Sequence, residues 1–264
     1  MIKEDLEHKL LSGGVIHIDG CPTYKVTLQD MADYGFTQMQ NIIALMATDD
    51  SSASKFLSNI PDGCEVSTFY VLMVGVVQEL EQIIETNKIQ ESDLYNSVIA
   101  FLTLFFRNKV CFDKNTGFIV KDDKNEEIFV LNESTYNQFR NILKYRNCFV
   151  DIEDVCDENP ANEIVARLLE KKRMLKEKIR KSKSIQDESD ITMSDLISIF
   201  AEAEKMPLQD VYCNYDIYQF NNQFNRLKIM DDYHVNIQAL LAGAKSEDVK
   251  LQHWISKIKK NDDN

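Results

Sequence analysis

The sequence predicts a mainly α protein with a minor β component, an α+β fold. Apolar residues recur at helical spacing through most of the chain, whereas short apolar runs flanked by turn residues occur in only two places. The 264 residues include only 8 glycines and 4 prolines, which leaves little material for a repetitive β architecture. Hydrophobic residues make up 44% of the chain, enough for an ordinary globular core.

The first β element is predicted near the N-terminus. Residues 15–18 (VIHI) and 24–26 (YKV) flank Asp19-Gly20, a turn signal, and predict a small hairpin. A short helix to Tyr34 and a second one over residues 36–47 follow, because Gly35 interrupts the apolar periodicity. Thr27 is the expected cap of the first of these helices, and Asp30 occupies the third following position, where an acid favours a helix start.

The central part of the chain holds two strongly apolar helices and the second β element. Helices are predicted over residues 66–85 and 92–106, and the second is apolar all round, which places it at the centre of the core. Three short runs separated by polar turns then predict a three-strand meander: residues 110–112, 118–120 and 128–131. Asn132 is a good cap for a helix over residues 133–145.

A change of composition near residue 159 predicts the domain organisation. The acidic stretch 151–158 precedes Asn159-Pro160, a helix start signal, and residues 159–183 carry nine basic residues against three glutamates. We therefore expect an N-terminal α+β domain (1–158), a basic connecting helix with a polar linker (159–191) and a small C-terminal helical domain (192–264).

The C-terminal domain is predicted to be helical throughout. Thr192 caps its first helix, with Asp195 at the capping-box position, and Pro207 starts a short turn. Residues 216–241 carry apolar residues at helical spacing, and Gly243 suits the end of that helix. A short final helix is expected to contain the following apolar residues: Val249, Leu251, Trp254, Ile255 and Ile258.

Net charge, targeting signals and cysteine spacing limit the classes of protein to which this chain can belong. The net charge of −13 makes general nucleic-acid or anionic-membrane binding by the surface unfavourable. The N-terminus lacks the apolar region of a secretory signal, and the longest apolar stretch has about nine residues where a membrane span needs about 20. Six dispersed cysteines without a CxxC pair indicate reduced thiols. We expect a cytoplasmic protein without a membrane contact.

A scan for chemistry gives no catalytic, cofactor or metal motif. The chain has no Gly-rich phosphate loop, no GxSxG elbow and no HExxH. His234 and His253 are 19 positions apart and could meet only through a helix–turn–helix return, so we expect ordinary histidines there. Acidic pairs such as Asp122-Asp123 are expected to be exposed turns. We expect a protein that is not an enzyme, with no cofactor and no metal, although a triad assembled only in three dimensions stays open.

Two features have a binding interpretation. The basic helix can be a solvated connector or a patch for an acidic or protein partner, with nucleic acid disfavoured because aromatic residues do not interleave with its charges. Its candidate binding residues are Lys171, Lys172, Arg173 and Lys176. Aromatic residues at helical spacing after residue 211 are core residues in most proteins, but amides interleave with them here, as at a protein-binding face. The candidates in this region are Tyr218, Phe220, Phe224, Arg226, Tyr233 and Trp254.

The C-terminal part of the chain resembles a known family. The segments PLQDVY, DIYQFNNQFNRL, DDYHVNIQALLAGAK and LQHWISKI, within residues 206–258, are similar in outline to the end of tail assembly chaperones and related tail-module proteins. These proteins belong to phages of low-GC Gram-positive bacteria. The residues that carry the resemblance are Tyr218, Phe220, Phe224, Arg226, Tyr233, Gly243, His253 and Trp254. The N-terminal stretch VIHIDGCPTYKVTLQDMADYG fits the same pattern.

The resemblance implies a non-enzymatic chaperone in the cytoplasm of the phage host. Such a protein covers the apolar helices of the tape-measure protein until the tail tube polymerises around it, and it can do so by helix-in-groove contacts. Two other interpretations stay open: a regulatory or anti-defence protein that binds a host factor, and a minor tail component of the virion. Self-association into a homo-oligomer is a further open alternative.

Overall fold

A computed structural model describes residues 3–53, 66–86, 93–149, 191–245, 249, 251 and 253–255 of the chain. The chain divides into two units. Unit 1 comprises residues 1–150 together with residues 212–219, and unit 2 comprises residues 151–211 and 220–264. The predicted boundary at residue 159 and the predicted basic helix lie outside the described residues.

Unit 1 combines helices with two small antiparallel sheets. Its helices are α1 (Lys3–Ser12), α2 (Leu28–Tyr34), α3 (Phe36–Ala47), α4 (Asp50–Ala53), α5 (Thr68–Thr86), α6 (Asp93–Phe106) and α7 (Glu133–Arg146). Its strands are β1 (Ile16–Ile18), β2 (Cys21–Thr23), β3 (Lys109–Asp113), β4 (Gly117–Lys121) and β5 (Glu127–Leu131). The mainly α fold with a minor β component is thus confirmed.

The N-terminal hairpin forms with a tighter register than predicted. Ile16 pairs with Thr23 and Ile18 with Cys21, so the second strand follows the turn at once and residues 24–26 lie beyond it. The reason is local: both turn residues, Asp19 (φ 45°) and Gly20 (φ 84°), have the positive φ angles of a two-residue hairpin turn. Helix α1 is an addition to the predicted elements, and the four-residue spacing of Leu6 and the fully buried Leu10 is its signal in the sequence.

The predicted meander and helix caps are confirmed. Strands β3, β4 and β5 form an antiparallel sheet in sequence order, with a bulge between Val120 and Lys121. The side chains of Thr27 and Asn132 accept hydrogen bonds from the first turns of α2 and α7. Each helix therefore starts where a short polar side chain replaces the missing backbone partners.

Helix α6 forms the centre of the core of unit 1. It packs against α3, α5, β2 and β3, as expected for a helix that is apolar all round. Phe105 stacks on Phe101 and meets Phe139 of α7 edge-to-face, with ring centroids 5.7 and 5.4 Å apart. The largest fully buried side chains of unit 1 are Phe101, Phe105, Phe106, Phe118, Phe139, Leu10, Ile16, Ile18, Leu28 and Met31.

An ion pair joins α4, α5 and α7 at the edge of this core. The guanidinium of Arg140 donates from Nη1 and Nη2 to the two carboxylate oxygens of Asp50, at 2.6 and 3.1 Å. The amide and hydroxyl of Thr68 donate to Oδ1 of the same carboxylate at 2.8 and 2.9 Å. Partial burial acts to raise the pKa of Asp50, but these donors outweigh it and lower the pKa below its ordinary value of 3.8.

We expect the Asp50–Arg140 pair to make the stability of unit 1 pH-dependent. Because the pKa of Asp50 is lower in the folded state than in the unfolded chain, its contribution is present above roughly pH 4 and is lost as the pH falls through the folded pKa. Arg140→Met should therefore lower the free energy of unfolding most at neutral pH, and the difference from wild type should narrow in acid. Urea titrations at several pH values measure this, and a pH-independent difference would contradict it.

The described helices of unit 2 are α8 (Met193–Ala203), α9 (Leu208–Asn214) and α10 (Ile217–Leu241), and a ring contact between Phe200 and Phe220 joins α8 to α10 in a small core. Helices α9 and α10 also contribute residues to unit 1. Thr192 caps α8 with a reciprocal bond to Asp195, as predicted. The buried apolar residues of this core are Ile197, Phe200, Ala201, Val211 and Phe220. The predicted final helix is wrong where it is described, because residues 253–255 form irregular backbone and a turn.

Candidate protein-binding surface

Helix α10 carries most of the residues that the sequence singled out, and its beginning is anchored in the core of unit 2. Phe220 is fully buried and meets Phe200 of α8 edge-to-face, with ring centroids 5.5 Å apart. Phe224, one turn further along, is half-buried and stacks on Phe220 at 5.6 Å. Phe220 is therefore a core residue in this structure, and its contact with a partner stays a prediction.

The rest of α10 is not covered by the unit. From Asn221 to Leu241, all within the described residues, no side chain is buried. Large apolar residues nevertheless occur there: the exposed fractions of Met230, Val235 and Leu241 are 38%, 56% and 84%. A helix of a globular protein normally turns its apolar residues toward a core, whereas this length of helix keeps apolar side chains that the described residues of the unit do not bury.

The segment after α10 adds an aromatic group to this surface. The rings of Tyr233 and His253 lie 5.2 Å apart, and the ring of His253 stacks on that of Trp254 at 5.9 Å. Nη1 of Arg226 donates to the backbone carbonyl of Trp254 at 3.0 Å. Trp254 keeps 45% of its surface exposed. Amphipathic aromatic and arginine side chains of this kind are enriched at protein interfaces.

Large apolar residues are also exposed in other described parts of unit 2. The exposed large apolar residues of this unit are Ile191, Ile199, Leu208, Met230, Val235, Leu241, Leu251, Trp254 and Ile255. We call this set the apolar surface of unit 2. Among the described residues of unit 1, which are more numerous, the exposed large apolar residues are Leu11, Tyr70, Ile128 and Phe149.

The structure places the sequence candidates in different environments. Arg226, Tyr233 and Trp254 come together at the apolar surface, whereas Tyr218 belongs to the short segment that is part of unit 1. The basic candidates Lys171, Lys172, Arg173 and Lys176 lie outside the described residues.

The sequence missed Met230, Val235 and Leu241 as surface residues. Met230 and Leu241 belong to the apolar helical pattern of residues 216–241, but spacing alone does not say which face of a helix lacks cover.

Two other expectations concern a metal site at the histidines and a helix that spans a membrane. The chain does return so that His253 reaches Tyr233, yet within the described residues no group of three or more His, Cys, Asp or Glu side chains is arranged to hold a metal ion. None of the described helices combines the length and apolarity that crossing a membrane requires.

A family model matches the part of the chain that carries this surface. Residues 181–259 match the family model described as the YomV second domain, which is fewer than half of the 264 residues. In comparisons with curated proteins and with solved structures, nothing matched. The matched domain is phage-associated and is consistent with the phage origin that the resemblance of the same region implies.

Proposed function

We propose that this protein is a phage tail assembly chaperone that binds the apolar helices of the tape-measure protein in the host cytoplasm and has no enzymatic activity. The observation that carries the proposal is the uncovered length of α10, with its exposed Met230, Val235 and Leu241. The phage-associated match to residues 181–259 and the resemblance over residues 206–258 support it.

The chemistry of the apolar surface favours a helical apolar client. Apolar groups spaced along an exposed helix can pack against the apolar stripe of a second helix, which is the helix-in-groove mode of recognition. Burying one side chain the size of Met or Leu contributes about 1.5–3 kcal/mol. A few such contacts along α10 give useful affinity while allowing the client to be released, which a chaperone needs.

The charge of the chain suits the same role. A net charge of −13 keeps copies of the protein apart and opposes aggregation of a complex that contains an apolar client. The exposed acidic residues Asp231 and Asp232 lie within α10 itself, beside the apolar positions. Their charges also make this exposed helix more soluble before the client binds.

A co-expression experiment tests the proposal directly. The tape-measure protein encoded by the same phage should be retained on the tagged full-length chain and remain in the soluble fraction. Changing both Met230 and Leu241 to aspartate should reduce retention by at least roughly tenfold, because two apolar contacts of about 1.5–3 kcal/mol each are replaced by charges. Both residues are exposed, so the folded state should keep its stability.

The matched control is Gln223→Asp, which adds a negative charge at an exposed polar position of the same helix. Retention by this variant should equal that of the wild type. Loss of retention in the control as strongly as in the double variant, or no soluble client with any of the proteins, would overturn the proposal.

Two further outcomes distinguish the open alternatives. A chaperone leaves the finished particle, so mass spectrometry of purified virions should not detect this chain, and its presence at stoichiometric levels would indicate a tail component instead. Capture of a host protein that disappears on charge reversal at Lys171, Lys172, Arg173 and Lys176 would indicate a host-factor binder.

A further inference from the structure

The three-stranded sheet of unit 1 has two edges, and only one of them is protected. Strand β5, at the first edge, is irregular: its register with β4 leaves Ile128 unpaired at a bulge, and the carbonyl of Val130 accepts a hydrogen bond from Oγ1 of Thr135 at 3.1 Å. Bulges and bonds of this kind protect an edge strand against pairing with another strand. Strand β3, at the second edge, pairs with β4 along its whole length of five residues and has no bulge.

The outer side of β3 has backbone groups without a partner strand. In an antiparallel ladder the residues of a strand bond alternately to its two sides, so part of the amide and carbonyl groups of an edge strand point away from its one neighbour. Within the described part of the chain, β4 is the one strand beside β3, and no backbone group of Lys109–Asp113 bonds to the backbone of a loop or helix. The edge can therefore take a further strand, which is the β-augmentation mode of recognition.

Alternate residues of β3 lie on opposite faces of the sheet. Val110 and Phe112 pair with the fully buried Val120 and Phe118, so they lie on the core face, where Phe112 is only half-buried. The other face of the strand carries Lys109, Cys111 and Asp113. A strand added at this edge would therefore meet two apolar residues on one face and a cation, a thiol and a carboxylate on the other.

The two charged residues of the outer face are at opposite ends of the strand. Lys109 is exposed, and its ammonium makes no ion pair with the described residues. Oδ1 of Asp113 accepts from the amides of Asn115 and Thr116 at 3.0 and 2.9 Å, which orients the carboxylate at the end of the strand. The hydroxyl of Thr116 and these two amides lower the pKa of Asp113 below its ordinary value of 3.8, so the carboxylate is charged at neutral pH.

The sequence of β3 is complementary to itself in the reverse direction. When two copies of the strand pair antiparallel with Cys111 opposite Cys111, Lys109 of each copy lies opposite Asp113 of the other, and opposite charges in that position favour pairing. The same register places Val110 opposite Phe112 twice on the core face, a favourable pair of a β-branched and an aromatic residue. A shift by two residues in either direction places Lys109 opposite Cys111 or beyond the end of the strand, and both charge pairs are lost.

We propose that unit 1 forms a symmetric homodimer through β3, in which the two three-stranded sheets join into one antiparallel sheet. The contact is isologous, with the two-fold axis between the two Cys111 residues. It uses no residue of the apolar surface of unit 2, so it goes beyond the proposed function and does not depend on it. A lysine on an exposed edge strand normally opposes pairing with other strands. Here Lys109 selects the partner and the register that supply a carboxylate.

Sedimentation equilibrium of the full chain at several concentrations tests the dimer. The wild type should show a monomer–dimer equilibrium. Lys109→Glu puts a carboxylate opposite Asp113 at both symmetric positions and should raise the dissociation constant of the dimer at least roughly tenfold. Because Lys109 is exposed, this variant should keep the wild-type thermal unfolding at a concentration where both proteins are monomeric. A wild type that is monomeric at every concentration would overturn the proposal.

The matched control is Lys124→Glu, which makes the same change of charge at an exposed position in the turn between β4 and β5. Its dissociation constant should stay within about threefold of the wild-type value. Weakening by both variants to the same extent would indicate a general effect of net charge and would overturn the pairing of Lys109 with Asp113.

Oxidation with diamide, which takes up the two thiol hydrogens as a disulfide forms, tests the register. Residues directly opposite each other in an antiparallel pair have Cα atoms about 4.5–5.5 Å apart, within the range that a disulfide spans. Peptide mass spectrometry should therefore identify a link between the two Cys111 residues, and Cys111→Ser should still dimerise but lack this link. A dimer that is linked through the exposed Cys213 and not through Cys111, or a dimer that Leu241→Asp abolishes, would place the interface elsewhere and overturn the proposal.

Discussion

Replacing Phe220 with alanine is expected to destabilise unit 2 by about 3–5 kcal/mol, the range for removing a fully buried aromatic ring. The ring is fully buried at the start of α10 and packs between Phe200 and Phe224. Its loss leaves a cavity in a core of few residues, which has little capacity to close around it. Since natural domains are stable by only about 5–15 kcal/mol, unit 2 should be largely unfolded at moderate urea concentrations.

The single tryptophan of the chain makes this effect measurable in unit 2 alone. Trp254 lies in unit 2, so its fluorescence during a urea titration follows that unit. Phe224→Ala serves as the control: its ring is half-buried, and its loss should cost less than half as much. If Phe220→Ala kept the wild-type midpoint but lost client retention, the residue would be a contact residue, and its place in the core would be refuted.

The parts of the fold that the sequence predicted well are those determined by neighbours along the chain. Thr27, Asn132 and Thr192 were recognised as helix caps because a short polar side chain satisfies backbone amides within three residues. The three-strand meander was predicted for the same reason, since each of its turns joins strands that are adjacent in sequence.

The parts that sequence patterns did not predict depend on contacts between distant residues. Residues 212–219 belong to unit 1, where Asp216 pairs with Arg146, 70 positions away, and no local pattern indicates that pairing. The second strand of the N-terminal hairpin was also misplaced in the sequence-based prediction. The positive φ angles at Asp19 and Gly20 determine the register of the hairpin, and the alternation of residue types does not reveal those angles.

Some residues of the candidate surface were singled out from the sequence by their side-chain chemistry, but helical spacing did not identify the others. Arg226, Tyr233 and Trp254 were singled out for their side-chain chemistry, and the structure brings them together. Helical spacing was equally compatible with a buried and an uncovered stripe, so it did not show that Phe220 is buried whereas Met230 is exposed. Whether an apolar residue of a helix is available to a partner depends on which other helices cover it.

Replacing Gly117 with alanine is expected to have a comparably large effect on unit 1. Gly117 begins β4 with a φ of +106°, a conformation that side-chain-bearing residues rarely adopt. A Cβ atom at this position would lie 2.4 Å from the carbonyl oxygen of Leu131 and 3.0 Å from Cζ of Phe69. The first neighbour is backbone of the paired strand β5, so the β4–β5 ladder would have to shift to relieve the clash.

The expected loss of stability has two causes, and a matched control separates them. Backbone strain of about 1–3 kcal/mol and overpacking of about 1–3 kcal/mol together lower the free energy of unfolding of Gly117→Ala by about 2–6 kcal/mol. Gly20 also has a positive φ, +84°, but has no atom within 4 Å of its Cβ position, so Gly20→Ala should show the strain alone. Thermal and urea unfolding, followed by circular dichroism, should show that Gly117→Ala is much less stable than Gly20→Ala. Equal losses would mean that the contact with Leu131 adds nothing, and that β4 and β5 can separate at this end without cost.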